Sequence, residues 1–96
     1  MDQEFRNRVL GLLEASLGGH TQRDAARRVK LLQGQSLQEA LSALTEIERK
    51  PGLPAKAHRL VAMCKQALTG KLDYDSFLIE TLKDAGLYGV TEPTAE

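Results

Sequence analysis

The sequence is poor in aromatic residues, prolines and cysteines. Of its 96 residues only four are aromatic, three are proline and one, Cys64, is a cysteine. A single cysteine excludes an internal disulfide and a zinc site built on cysteines, so we expect a reducing, cytoplasmic setting. No run approaches the roughly eighteen continuous apolar residues of a membrane span, and the polar residues 2–4 do not resemble a signal peptide, so we expect no membrane partner.

An excess of charge of one sign is also absent, because 13 Lys and Arg residues balance 13 Asp and Glu residues. The charges are nevertheless unevenly placed. Residues 1–72 carry twelve basic and seven acidic residues, a net charge of +5, whereas residues 73–96 carry one basic and six acidic residues, a net charge of −5. This asymmetry indicates that the two parts attract each other or bind separate partners.

Leucine and alanine at helical spacing supply most of the apolar content, and the clearest pattern begins at residue 36. Ser36 and Glu39 form the pattern of a capping box, in which each side chain accepts a hydrogen bond from the backbone N–H group of the other residue. The apolar residues that follow recur every three or four positions: Leu37, Ala40, Leu41, Leu44 and Ile47. Pro51 ends this helix near Lys50, because proline disfavours helical geometry in the residue before it.

A second amphipathic helix follows a Pro-Gly-Leu-Pro turn. Pro54 suits its first position, where a backbone N–H group would have no helical partner. The apolar stripe of this helix comprises Ala57, Leu60, Val61, Cys64, Ala67 and Leu68. Gly70 is placed to end the helix with a residue in left-handed backbone geometry.

Similar patterns predict three further helices, for an all-α fold that is a small single-domain bundle of about five short antiparallel helices. Thr21 is the predicted N-cap of the second helix, and Asp73 or Asp75 is that of the fifth. Gly11 in the first helix is either a tolerated small residue or a place where a neighbouring helix approaches closely. The predicted helices span residues 3–17, 21–33, 36–50, 54–69 and 74–85. The domain is predicted to cover residues 1–90, with residues 91–96 as a disordered tail.

Residues that commonly perform chemistry are few, and each has a structural explanation. Cys64 lies within an apolar stripe, where a thiol is buried and inert. Asp73 and Asp75 stand where a helix begins, and His20 and His58 are far apart in sequence. Because no phosphate-binding glycine loop, nucleophile elbow or metal-binding motif is present, we expect no enzyme, no catalytic residue, no cofactor and no metal.

The leading hypothesis is therefore a non-enzymatic protein–protein interaction module: a small adaptor, an oligomerisation domain or a helical subunit of a larger complex. Its partner would be another protein chain, or a second copy of this chain through self-association. Three of the four aromatic residues lie in residues 73–96, and aromatic side chains dominate many interfaces. The predicted contact residues are Phe77, Ile79, Leu87 and Tyr88. Packing in the core is the ordinary alternative for the aromatic residues of this helix.

The second hypothesis is binding of nucleic acid phosphates through a basic stripe on the second helix. This basic stripe comprises Arg23, Arg27, Arg28 and Lys30. A solvated helix face is the ordinary alternative. A helix-turn-helix arrangement is not supported, because the helix that would enter the DNA groove carries Glu39, Glu46 and Glu48 and is therefore acidic.

Overall fold

Every regular element in the computed structural model, which describes residues 3–19 and 22–84, is an α-helix. The five helices are α1 (Gln3–Gly19), α2 (Arg23–Lys30), α3 (Leu37–Glu48), α4 (Ala55–Leu68) and α5 (Tyr74–Asp84). The prediction of a small all-α helical bundle is confirmed. Predictions for His20, for the Thr21 cap, for the end of the last helix at residue 85 and for the tail 91–96 lie outside the described residues. No helix in the described part is both long and apolar enough to cross a membrane.

Helices α1 and α4 form the centre of the bundle. Helix α1 packs against α2, α4 and α5, and α4 packs against α1, α3 and α5. All six predicted apolar residues of α4 are buried, and Phe77 from α5 is the largest fully buried side chain. Helix α1 contributes Val9, Leu10, Leu13 and Leu17 to the same core. This arrangement leaves α2 and α3 on the outside, each packed mainly against one central helix.

Helix α2 is shorter than predicted, and this difference shapes the surface described below. It begins at Arg23 after the N-cap Gln22 and ends at Lys30, whereas the sequence pattern predicted residues 21–33. The N–H group of Leu32 donates to the Val29 carbonyl at 3.0 Å, so the chain tightens into three-residue turns after Lys30. Gly34, at φ +90°, then reverses the chain direction in a conformation that disfavours other residues.

Tertiary hydrogen bonds hold α2 and the turn after it against α1. The Gln22 N–H group donates to the Leu17 carbonyl at 2.9 Å, which joins the start of α2 to the end of α1. At the other end, the Gly34 N–H group donates to Asn7 Oδ1 at 3.2 Å. Helix α2 therefore runs back along α1. A Cβ atom added to Gly11 would lie 3.6 Å from Gln33 Nε2, an ordinary contact, so Gly11 is a tolerated small residue.

The remaining helix ends follow the predicted caps, with shifts of one or two residues. The capping box of α3 is present: Ser36 Oγ accepts from the Glu39 N–H group at 3.2 Å, and the Ser36 N–H group donates to Glu39 Oε1 at 3.1 Å. Helix α1 continues to Gly19 rather than residue 17, and α3 ends at Glu48 rather than Lys50. Pro54 is the N-cap of α4 rather than its first helical residue, because its ψ of 155° is extended.

Helix α5 is held to the bundle by polar contacts as well as by its buried face. Asp73 Oδ1 accepts a hydrogen bond from the Ser76 N–H group at 2.7 Å and so caps the helix. Arg59 Nη2 on α4 lies 2.9 Å from Glu80 Oε1 on α5. This ion pair joins the basic part of the sequence to the acidic part.

Candidate functional site

The predicted contact surface on α5 is smaller than the sequence indicated. Phe77 is fully buried in the core, so it is not available as an exposed contact and is removed from the predicted surface. Ile79 is exposed, with 41% of its surface accessible. The other two predicted contact residues, Leu87 and Tyr88, lie outside the described part of the chain.

The geometry of α5 explains why so little apolar surface remains there. Its inward face is formed by Phe77 and the nearly buried Thr81, one helical turn later. Thr81 Oγ1 donates to the Leu78 carbonyl at 2.8 Å, so this buried hydroxyl group has a hydrogen-bond partner. Leu78 and Leu82 flank this inward face and are half-buried.

A larger apolar surface lies between α2 and α3. Leu31 is 68% exposed, and in the described part of the chain it is the only large apolar side chain besides Ile79 that is exposed. Leu31 stands beside a groove of about 520 Å³, which we call the α2–α3 groove. Its lining includes Arg28, Leu31, Leu32, Ala43, Glu46 and Ile47. The groove therefore combines apolar walls with charged groups of both signs.

Consecutive leucines at the end of α2 create one side of this groove. Neighbouring residues in helical geometry point about 100° apart, so two adjacent leucines cannot both face the same neighbour. Leu32 takes the inner position and is 6% exposed, while Leu31 points outward. Sequence reasoning missed Leu31, although the Leu31-Leu32 pair was a usable signal, because only one of two adjacent leucines in a helix can lie on its inner face.

Helix α3 provides the other side of the groove. Ile47 is buried at the edge of the core, and Ala43 is half-buried beside it. Glu46 is exposed on the same side, whereas Glu39 at the start of the helix is held by its capping box with Ser36. The groove thus has an acidic wall on α3.

The wall formed by α2 carries one residue of the basic stripe, Arg28. All four residues of the predicted basic stripe, Arg23, Arg27, Arg28 and Lys30, are exposed. Arg27 Nη1 lies 3.8 Å from Asp24 Oδ1, an exposed pair that contributes little to stability. Within the described residues neither Arg28 nor Glu46 makes an ion pair. As far as the described residues are concerned, both groups can therefore pair with charges brought by another molecule.

Two further grooves offer less apolar surface. One, of about 210 Å³, lies between the start of α2 and the α3–α4 turn, where Arg23 and Lys50 contribute to its lining. The other, of about 370 Å³, lies between α3 and α4 and is lined in part by Glu48 and Lys65, whose charged groups are 2.9 Å apart. Ile79 lines none of these three grooves.

The residues considered for chemistry take structural places. Cys64 is buried, and burial raises the pKa of its thiol far above the ordinary value, so the sulfur stays protonated and unreactive. The hydrogen bond from the Ser76 N–H group lowers the pKa of the Asp73 carboxyl, as expected for a helix cap. His58 is exposed. Among residues 3–19 and 22–84, no three His, Cys, Asp or Glu side chains converge as metal ligands.

A comparison of the chain with protein-family models gives no match, and comparisons with curated proteins and with solved structures give none either.

Proposed function

We propose that this chain is a non-enzymatic protein-interaction module that binds another protein chain through the α2–α3 groove. The observation that carries the proposal is Leu31, a large aliphatic side chain that is 68% exposed at the rim of the groove. Single exposed leucines are common on protein surfaces. Leu31 differs because it adjoins a groove whose lining includes the apolar residues Leu32, Ala43 and Ile47.

Two helices border the groove. Its two sides are the end of α2 and the outer face of α3, so side chains of both helices form the surface that a partner contacts. Covering the exposed part of Leu31 would contribute about 1–2 kcal/mol, which is roughly a tenfold change in affinity. Leu31 is therefore the residue whose truncation should weaken binding most clearly.

The proposal is tested by comparing two exposed aliphatic positions. Leu31→Ser removes the proposed contact, and Ile79→Ser changes the alternative surface on α5. Each variant and the wild type carry an affinity tag in the native host, and a second, differently tagged copy of the chain is expressed beside them. Half of each lysate is treated with nuclease, and circular dichroism of the purified variants checks that they remain folded.

The expected result is a protein partner, or the second copy, that survives nuclease, is lost with Leu31→Ser and is retained with Ile79→Ser. Loss with Ile79→Ser alone would move the contact to α5 and overturn the groove assignment. Equal binding by both variants would show that neither side chain belongs to the interface, and the proposal would fail.

The basic stripe supports a second candidate function, association with nucleic acid. Four exposed cations and one exposed carboxylate, that of Asp24, lie on this helix of eight residues and leave its surface positively charged. The variant Arg23→Glu/Arg27→Glu tests this candidate, because neither residue lines the α2–α3 groove. If the candidate is right, this variant loses affinity for a fluorescent oligonucleotide, and wild-type affinity falls steeply as salt is added. Binding that ignores both changes contradicts it.

A further inference from the structure

We infer that the α2–α3 groove binds the same groove of a second copy of this chain, so that two copies form a two-fold symmetric dimer. The inference rests on the proposed function, because it names the partner that the groove receives. The evidence for it is the distribution of apolar and charged side chains over the α2–α3 groove.

The projecting and receiving parts of the surface lie side by side. Leu31 projects at the rim, and the groove that can receive a side chain of this size begins next to it, along Ala43 and Ile47. In a two-fold dimer the same surface is used by both copies, and each contact between two different residues occurs twice. Because the projection and the recess belong to one surface, the contact closes after two copies instead of growing into a filament.

The charges select one orientation of the two-fold axis. Arg28 stands on the α2 wall and Glu46 on the α3 wall, and neither makes an ion pair in the described part of its own chain. An axis running along the groove places the α2 wall of one copy against the α3 wall of the other, so that each Arg28 faces a Glu46. An axis running across the groove would place α2 against α2 and oppose like charges. Charge complementarity therefore favours the axis along the groove.

In the same orientation the end of α2 that carries Leu31 faces the α3 wall of the other copy, which includes the half-buried Ala43. A formal net charge of zero means that no overall repulsion opposes the approach of two copies. The groove is lined by nine residues, fewer than the roughly 20–30 residues that each partner contributes to a standard interface. We therefore expect a dissociation constant on the order of 1–100 μM, the range of weak and transient complexes.

Sedimentation velocity on the purified 96-residue chain, over a dilution series from about 1 μM to 500 μM, tests the inference. Wild type should change from monomer to dimer across the series. Leu31→Glu should stay monomeric throughout, since it introduces a charge where an apolar contact is expected. Ile79→Glu is the matched control and should dimerise as wild type does. Far-ultraviolet circular dichroism confirms that all variants keep their helices.

Reversing the charge at position 28 or at position 46 tests the orientation of the two-fold axis. Arg28→Glu and Glu46→Arg should each weaken dimerisation by about tenfold or more, because each opposes two pairs of like charges in a dimer with itself. Mixed in equal amounts, the two variants should form a heterodimer, because both pairs are then opposite in sign. Glu46 is chosen rather than Glu39, because Glu39 caps α3 and its replacement would disturb the helix.

The outcomes separate this inference from the proposed function. A wild-type chain that stays monomeric at every concentration overturns the dimer, and so does a dimer that Leu31→Glu leaves intact. A dimer that depends on Leu31 but gives no heterodimer from the two charge variants overturns the orientation along the groove. If the chain is monomeric yet captures a different protein in a Leu31-dependent way, the proposed function stands and the second copy is not its partner.

Discussion

Single side chains fix α5 against the bundle in different ways. Phe77 fills the core, Arg59 pairs with Glu80 at the surface, and Asp73 caps the first turn of the helix. The guanidinium group of Arg8 on α1 also lies 5.6 Å from the centre of the Tyr74 ring, within the range of a cation–π contact. Buried and exposed side chains therefore lie within a few residues of each other on α5. Substitutions at these positions should change the free energy of unfolding by different amounts.

Phe77→Ala should destabilise the fold by about 3–5 kcal/mol, because it removes a fully buried aromatic ring and leaves a cavity. That is a large part of the about 5–10 kcal/mol expected for a domain of this size. The matched change Ile79→Ala should cost less than about 1 kcal/mol, since this side chain is exposed. Urea unfolding followed by circular dichroism measures both values. Equal losses at the two positions would contradict the assignment of Phe77 to the core.

Asp73 should make part of the stability depend on pH. The hydrogen bond from the Ser76 N–H group lowers the pKa of its carboxyl below the ordinary value of 3.8, so the charged form is favoured in the folded state. A lowered pKa stabilises the fold above the unfolded-state pKa, and this stabilisation is lost as pH falls through the folded-state pKa.

Comparison with Asp73→Asn isolates the contribution of this one carboxyl group to the pH dependence of stability. Asparagine also caps helices but does not titrate, and the two proteins have all other carboxyl groups in common. Wild type should exceed the variant in free energy of unfolding at about pH 7, and the difference should shrink towards about pH 2. Chemical unfolding at several pH values measures it. A difference that stays constant over this range would show that the Asp73 charge contributes nothing.

At the scale of helices, the end of α2 determines whether the groove exists. If helical geometry continued to residue 33, as predicted, Leu31 would remain in a regular helix without the tight turn that brings α3 beside it. The observed turn depends on Gly34, whose φ of +90° disfavours a side chain and whose N–H group is bound by Asn7.

Gly34→Ala should therefore destabilise the chain by about 1–2 kcal/mol, although a Cβ atom there would meet no other group within 4 Å. Gly18→Ala is the matched control: this position is also open, but it lies within α1 at ordinary helical geometry. The control change should stabilise by up to about 1 kcal/mol, because alanine favours helix more than glycine does. Thermal unfolding compares the two, and a neutral Gly34→Ala would contradict the strained-turn account.

The helices themselves could be predicted from sequence where caps and periodicity agree. The α4 stripe was predicted completely, since Pro54 and Gly70 bracket six apolar residues at regular spacing. The end of α2 could not be predicted in this way, because Leu31, Leu32 and Gln33 all have good helix propensity. Its boundary depends on the tertiary hydrogen bond between Gly34 and Asn7, which local pattern does not reveal.

At the scale of the whole molecule, the position of the groove follows from which helices pack together. Because α2 packs on α1 and α3 packs on α4, a channel remains between the two outer helices. Periodicity indicates the apolar face of each helix but not its neighbour, so it placed the contact surface on α5, where Phe77 proved to be buried. The exposed basic stripe, by contrast, could be predicted from spacing alone.

Arg28 and Glu46 are among the charged side chains that make no ion pair within the described part of the chain. Arg59 and Glu80 pair across the bundle, as do Lys65 and Glu48, whereas Arg28 and Glu46 face the α2–α3 groove without pairing. The central claim is therefore that Leu31 and these charges meet another protein chain.

Photocrosslinking from position 31 tests that claim most directly. A photoreactive benzophenone side chain replaces Leu31 in one variant and Ile79 in a control variant, and each is irradiated in the native host. The account predicts a specific crosslinked protein product from position 31, with peptides of residues 37–48 of a second copy at the linkage, and none from position 79. The absence of a product from position 31 beyond that from position 79 would contradict it.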